Sequence, residues 1–207
     1  MKTDALGITG ASQSAAAEEC SAEMTHQIFA LNTLGPILLT RALLPHMLAR
    51  RRGRFVVIAS MASKVPSPGQ SLYAATKQGL FGFFASVATE VADRGVTVTI
   101  ACPGPIFSGS LEPRTLFGPE GLVTRPADAS GSSKKVTMAR AVHLICSAAA
   151  HGLDEVWIAK HPVLLAGNEL CFKFGHHAHS LTPEFVCVSG SKYQMHAVIY
   201  IRNFQHW

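Results

Sequence analysis

Tyr73 and Lys77 stand four residues apart, so on a helix their side chains share one face. Ser60 lies a short loop upstream of them. A phenol titrates near pH 10 and exchanges protons poorly at neutral pH, with a pKa of about 10. A neighbouring ammonium lowers that value electrostatically, and a serine hydroxyl can hold a substrate oxygen against the phenol. Together the three groups suit general acid/base interconversion of an alcohol and a carbonyl, with the hydride supplied by a cofactor. The Tyr-x-x-x-Lys spacing alone is common. It also describes a half-buried helix tyrosine beside a solvated lysine, with Ser60 a strand-end hydroxyl closing a loop.

The secondary structure around these residues is legible too. Residues 55–59 (FVVIA) form a short continuous apolar run, which predicts a strand buried on both faces and ending at Ser60. Residues 71–92 predict a helix that carries Tyr73 and Lys77, with Ser71 as its cap and Leu72, Ala75, Gly79, Phe83, Val87 and Val91 as its stripe. Residues 96–101 (VTVTIA) predict a second strand, stopped by Cys102-Pro103-Gly104-Pro105. Upstream, residues 18–50 predict a helix with the stripe Met24, Ile28, Leu31, Leu34, Leu38 and Ala42, bent or split at Pro36 and Pro45. Downstream, the Gly-, Pro- and Ser-rich residues 108–133 predict a long loop with one short helix. A third helix over 135–151, capped by Gly152, and a third strand over 156–159 follow. Such alternation implies right-handed crossovers and a parallel sheet with helices on both faces. Ligands bind such sheets outside the carboxyl ends of the strands, where both Ser60 and the Cys102–Pro105 turn fall.

With these residues in order, the chain resembles a classical short-chain dehydrogenase/reductase. The resemblance rests on Ser60, Tyr73-Ala74-Ala75-Thr76-Lys77, Pro103-Gly104-Pro105-Ile106-x-Ser108, and Asn32 at the spacing of the family's fourth catalytic residue. It spans about residues 7 to 165 and is nearest the 11β-hydroxysteroid dehydrogenase-like branch. It implies an α/β fold, a partial Rossmann-like parallel sheet with three recognisable strands and flanking helices. It implies Tyr73 as the acid/base, Lys77 on the nicotinamide ribose, Ser60 on the substrate carbonyl and Asn32 supporting a relay water. Pro103, Gly104, Ile106 and Ser108 would hold the nicotinamide, with NADP slightly favoured over NAD. The substrate would be a hydrophobic alcohol or carbonyl.

The family opens with a glycine-rich pyrophosphate loop leading into a helix. Thr9-Gly10-Ala11-Ser12-Gln13-Ser14 starts like that loop but lacks the later glycines. The better alignment sets Ile8-Thr9-Gly10 on the family's Asn-Ala-Gly, so the chain reads as N-terminally truncated. The expected organisation is a partial family domain over 1–167 and an atypical tail over 168–207. The alternative function is a catalytically inactive fragment that partners full-length relatives, and a homo-oligomer is a further expectation.

The remaining composition narrows the class. Of 207 residues, 48% are hydrophobic and 15% charged, enough for a sizeable core and too apolar for a disordered chain. No apolar run of the roughly 18 residues needed to span a bilayer is evident, and no secretory signal. The location expected is cytoplasmic by default, although relatives in this branch are often endoplasmic-reticulum membrane-associated. The net charge is +5, but the one dense basic cluster, Arg50, Arg51, Arg52 and Arg54, reads as a helix C-terminus, and nucleic-acid binding is not expected. The five scattered cysteines read as reduced thiols, with Cys102 a strand-end core residue. The tail's His176-His177-x-His179 reads as solvated loop, with no metal expected, and VCVSGSKYQMHAVIYI as a hairpin around Gly190-Ser191.

Overall fold

Gly53 to Ile58 form a strand because alternate residues can be buried on opposite faces. Phe55 and Val57 point to one layer of helices, while Val56 and Ile58 point to the other. The computed structural model describes residues 5–8, 10–65, 67–107, 114–119, 121–125, 135–160, 185–189 and 197–200. In chain order the main elements are β1 (Ala5–Ile8), β2 (Ser12–Gln13), α1 (Ala22–Phe29), α2 (Gly35–Ala49), β3 (Gly53–Ile58), α3 (Ser71–Val91), β4 (Val96–Pro103), β5 (Ile106–Phe107), β6 (Arg114–Gly118), β7 (Gly121–Arg125), β8 (Val136–Thr137), α4 (Met138–Ala150), β9 (Glu155–Ala159), β10 (Phe185–Ser189) and β11 (Ala197–Tyr200).

The central sheet runs β1-β3-β4-β9-β10-β11. The first four strands are parallel, with Ala5 opposite Arg54, Gly53 opposite Val96 and Ile100 opposite Glu155. Their carboxyl ends therefore share one edge. The three strands expected from sequence are β3, β4 and β9; β1 joins them on one side. On the other side, β10 and β11 pair antiparallel, Val186 opposite Ile158 and Cys187 opposite Val198. The tail thus supplies two antiparallel strands, as a hairpin requires; the turn expected around Gly190-Ser191 lies outside the described residues, as do His176, His177 and His179.

One core layer joins β3, β4 and β9 to α3: Phe55, Val57, Val98, Ile100, Cys102 and Trp157 meet Leu80, Phe84, Val87 and Val91. Phe55 and Phe84 are fully buried, their ring centroids 5.9 Å apart, and each such side chain stabilises the fold by about 2–3 kcal/mol. The other layer sets Ala101, Val156 and Ile158 against Ala141, Leu144 and Ala148 of α4. Gly152 closes α4 at φ 68°, a left-handed conformation, as expected of a C-terminal glycine.

Several expectations are corrected. Residues 108–133 are not simply loop: β6 and β7 form an antiparallel hairpin, and β6 also pairs with β2. Pro45 sits inside α2 without splitting it. At Pro36 the helix does change. Residues Ala30–Leu34 form a wide π turn, in which the Gly35 N–H donates to the Ala30 carbonyl. Pro36 has no N–H to give the Asn32 carbonyl, so the ordinary ladder cannot continue through this point. The extra residue shifts the helix phase. Met24 and Ile28 are buried as expected, but Leu31, Leu34 and Leu38 are 49%, 53% and 58% exposed, and Asn32, Thr33 and Thr40 face inward instead. Among the described residues, Ala22–Ala49 is the one helix long and apolar enough to cross a membrane, by length and composition only, which the sequence reading missed. Here it packs beside α3.

Candidate functional site

Ser60 follows β3 at the carboxyl edge of the sheet. Its extended backbone starts a short 3-10 turn, Met61–Ser63, and its hydroxyl accepts from the Ala62 N–H at 3.1 Å. The turn is anchored beyond: Lys64 Nζ lies 2.9 Å from Glu155 Oε1 and 3.4 Å above the Phe81 ring, while Trp157 Nε1 donates to the same carboxylate oxygen. Two elements, β9 and α3, thereby hold the turn that presents Ser60.

Tyr73 and Lys77 lie in the first two turns of α3. The Ser60 side chain lies close to the Tyr73 hydroxyl and pulls its pKa down. Lys77 reaches under the strand ends and donates to the Ile58 carbonyl at 2.9 Å, with its Nζ 5.9 Å from the Tyr73 ring centroid. Burial pushes the ammonium down to about 8, with the Cys102 thiol pulling weakly the other way. Burial raises the Tyr73 phenol above its ordinary value, and the neighbouring Ser60 side chain offsets only part of that. The net direction is thus the opposite of the lowering expected from a neighbouring lysine, because desolvation disfavours the charged phenolate. Cys102 is a core thiol, as expected, pushed up to about 12 chiefly by burial and then by Glu155.

Asn32 takes its place from the π turn, which turns two consecutive residues inward. Its amide grips the backbone after β1: Oδ1 accepts from Ala11 N–H at 2.9 Å, and Nδ2 donates to Ala11 O at 2.9 Å and to Thr76 Oγ1 at 3.1 Å. Thr76 in turn donates to the Tyr73 carbonyl at 2.7 Å. Gly10 permits this approach. A Cβ there would stand 2.3 Å from Asn32 Oδ1 and 3.4 Å from Lys77 Nζ. Gly10 is followed by β2 and not by the helix that a phosphate-binding loop leads into.

Pro103 ends β4, and the Gly104 N–H donates to the Ile158 carbonyl at 2.8 Å. Ile106 pairs with Val136 of β8. These residues share the carboxyl edge with Ser60; Ser108 lies outside the described residues. The structure thus brings together Ser60, Tyr73 and Lys77 directly, and Asn32 through Gly10 and Thr76.

Sequence reasoning missed Gln13. Ser71 is the first residue of α3, not its cap, and Gln70 at the cap position contributes no side-chain bond. The Tyr73 N–H is accepted instead by Gln13 Oε1 at 2.9 Å. A separation of 60 positions leaves no local signal for such a contact.

Residues 4–115 match the family model described as short chain dehydrogenase. The chain belongs to the short-chain dehydrogenase family. Within that family it is 36% identical over 158 residues to dehydrogenase/reductase SDR family member 7 of Homo sapiens, covering 75% of this chain and 45% of the relative. It is 37% identical over 107 residues to 3-oxoacyl-[acyl-carrier-protein] reductase of Synechocystis, covering 49% of this chain and 43% of that one. A solved structure of a putative NAD(P)-dependent gluconate 5-dehydrogenase from Beutenbergia cavernae, with bound NADP, is 35% identical at a TM-score of 0.49, covering 50% of this chain and 42% of that one. The match spans a little under half the length of these relatives.

Proposed function

We propose that this chain carries the proton-transfer centre of an NAD(P)-dependent oxidoreductase that interconverts an alcohol and a carbonyl on a hydrophobic small molecule. The observation that carries this reading is the convergence of the Ser60 and Tyr73 hydroxyls with buried Lys77 at the carboxyl edge of a parallel sheet. Tyr73, kept protonated by burial, gives its proton to the carbonyl oxygen during reduction and regains one afterwards. Ser60 orients that oxygen. Lys77, held by the Ile58 carbonyl, keeps further N–H donors for a ribose hydroxyl and offers a charge that favours the phenolate as it forms. The Asn32 side chain is committed to Ala11 and Thr76, so a water relay at Asn32 would use its main chain.

The residues at this edge suit the nicotinamide half of a dinucleotide, through Tyr73, Lys77, Pro103, Gly104, Ile106 and Ser108. When bound, the nicotinamide supplies or accepts the hydride. NADP is favoured over NAD. Residues 1–167 would form the catalytic unit, with β10 and β11 extending its sheet.

The second reading is an inactive partner of longer family members. It is favoured by the exposed apolar line Leu31, Leu34 and Leu38, which no described residue covers. Titrating the folded chain with NADPH and, separately, NADH distinguishes the two. Binding followed by carbonyl reduction that Tyr73→Phe abolishes supports the first reading. Binding of neither cofactor overturns it, and co-purification with a full-length relative would then favour the second.

A further inference from the structure

Gln13 is buried, 2% exposed, and every polar atom of its amide is engaged. Nε2 donates to the Ala15 carbonyl at 3.0 Å and lies 3.2 Å from Cys20 Sγ; Oε1 accepts from the Tyr73 N–H at 2.9 Å. A buried amide saturated in this way cannot turn without leaving a group unpaired. Its own strand is fixed as well. Gln13 pairs with Phe117 of β6, the Ser14 N–H donates to the Phe117 carbonyl at 2.8 Å, and the Ala15 N–H donates to Gly69 O at 3.2 Å, just before α3. Phe117 packs among Ala15, Met24 and Ile28, and Leu72 and Tyr73 pack against the same cluster. The first-turn amides of a helix have no acceptor inside it. At Tyr73 that acceptor comes from a residue 60 positions earlier, on the small sheet that also holds the β6–β7 hairpin.

We propose that Gln13 is a positioning residue for Tyr73, a cap supplied from β2 that fixes the first turn of α3 at the residue bearing the phenol. The Gln13 amide hydrogen-bonds to main chain and a thiol, so it acts through Tyr73 and not on substrate. The proposal rests on the reading of Tyr73 as the acid/base, but its structural content can be measured without turnover.

The full chain is labelled with 15N- and 13Cζ-tyrosine. It has three tyrosines, and the Tyr73 signals are those lost in Tyr73→Phe. In the unmodified chain the Tyr73 amide is protected from hydrogen exchange. Gln13→Met, similar in volume but without acceptor or donor, speeds that exchange about tenfold and moves the phenol titration seen at 13Cζ. Gln13→Glu keeps an oxygen for the Tyr73 N–H and retains the protection. Where turnover is measurable, Gln13→Met lowers kcat about tenfold and leaves KM within about twofold. An unprotected Tyr73 amide in the unmodified chain overturns the proposal, whatever the variants do. So does faster exchange in Gln13→Met with an unchanged phenol titration, which would make Gln13 a helix cap only. If the unmodified chain turns over no substrate, the acid/base reading fails while both spectroscopic arms still decide the positioning.

Discussion

Replacing Lys77 with Met should remove a pH dependence of stability that the buried ammonium imposes. In the folded chain burial brings the Lys77 ammonium from 10.5 to about 8. At about 1.36 kcal/mol per tenfold, holding this charge in the fold costs about 3 kcal/mol. The sign follows from proton counts. Below pH 8 both states carry the ammonium, and the full cost is present. Between pH 8 and 10.5 the folded state has released its proton and the unfolded state has not, so unfolding free energy rises with pH. By pH 9.5 the unmodified chain should have gained about 2 kcal/mol relative to pH 7 from this group alone. Cys102, raised from 9.0 to about 12, works the other way above pH 9, but it is common to both proteins and cancels in their difference. The unpaired Ile58 carbonyl left in Lys77→Met is a constant offset and cancels in the slope. Urea unfolding of both proteins, followed by circular dichroism from pH 7 to 9.5, reads the effect directly. Stability curves that stay parallel over that range would refute the burial argument for Lys77.

Three further outcomes follow from the packing. Gly10→Ala should destabilise by about 2 kcal/mol, because the new methyl overlaps Asn32 Oδ1, whereas Gly82→Ala, with nothing within 4 Å, should stabilise by about 1 kcal/mol; thermal melts of the two variants should move in opposite directions. Lys64→Met should cost about 2 kcal/mol and shift Trp157 fluorescence in a Trp207→Phe background, because it strips the cation from Glu155, Phe81 and Trp157 together; an unchanged spectrum would refute the anchoring of the Ser60 turn. Exposed Cys146 should react with a thiol reagent at pH 8 within minutes, while Cys102 should react only on unfolding, as peptide mass mapping would tell.

The elements of this fold differ in how much of them is written locally in the sequence. Strands β3, β4 and β9 were legible because both of their faces are buried, which leaves an unbroken apolar run. Ser60, Tyr73 and Lys77 were legible because a strand end and a helix face fix their relation locally. The stripe Leu31, Leu34, Leu38 misled, since a 3.6-residue period assumes an uninterrupted helix and the π turn breaks it. Hairpin β6–β7 was hidden among Gly and Pro residues that read equally well as loop. Strands β10 and β11 were legible as a local hairpin, but not as a continuation of the parallel sheet, because pairing with β9 is a long-range choice. Gln13 left no trace in the sequence for the same reason: its partner is 60 residues away.

The wide turn at Ala30–Leu34 makes segment length a form of specification. Each residue advances a helix face by about 100°, so one residue more or less here rotates everything before it against everything after it. Shortened by one, the segment would swing α1 away from the cluster that buries Met24 and Ile28, or else carry Asn32 off Ala11; it could not keep both. A change of residue identity in this stretch is felt at one place. A change of spacing is felt at both ends of a 28-residue rod. Substitutions should therefore drift through the exposed positions of this stretch far more freely than insertions or deletions, and the number of residues between Ile28 and Pro36 carries as much structural information as their names.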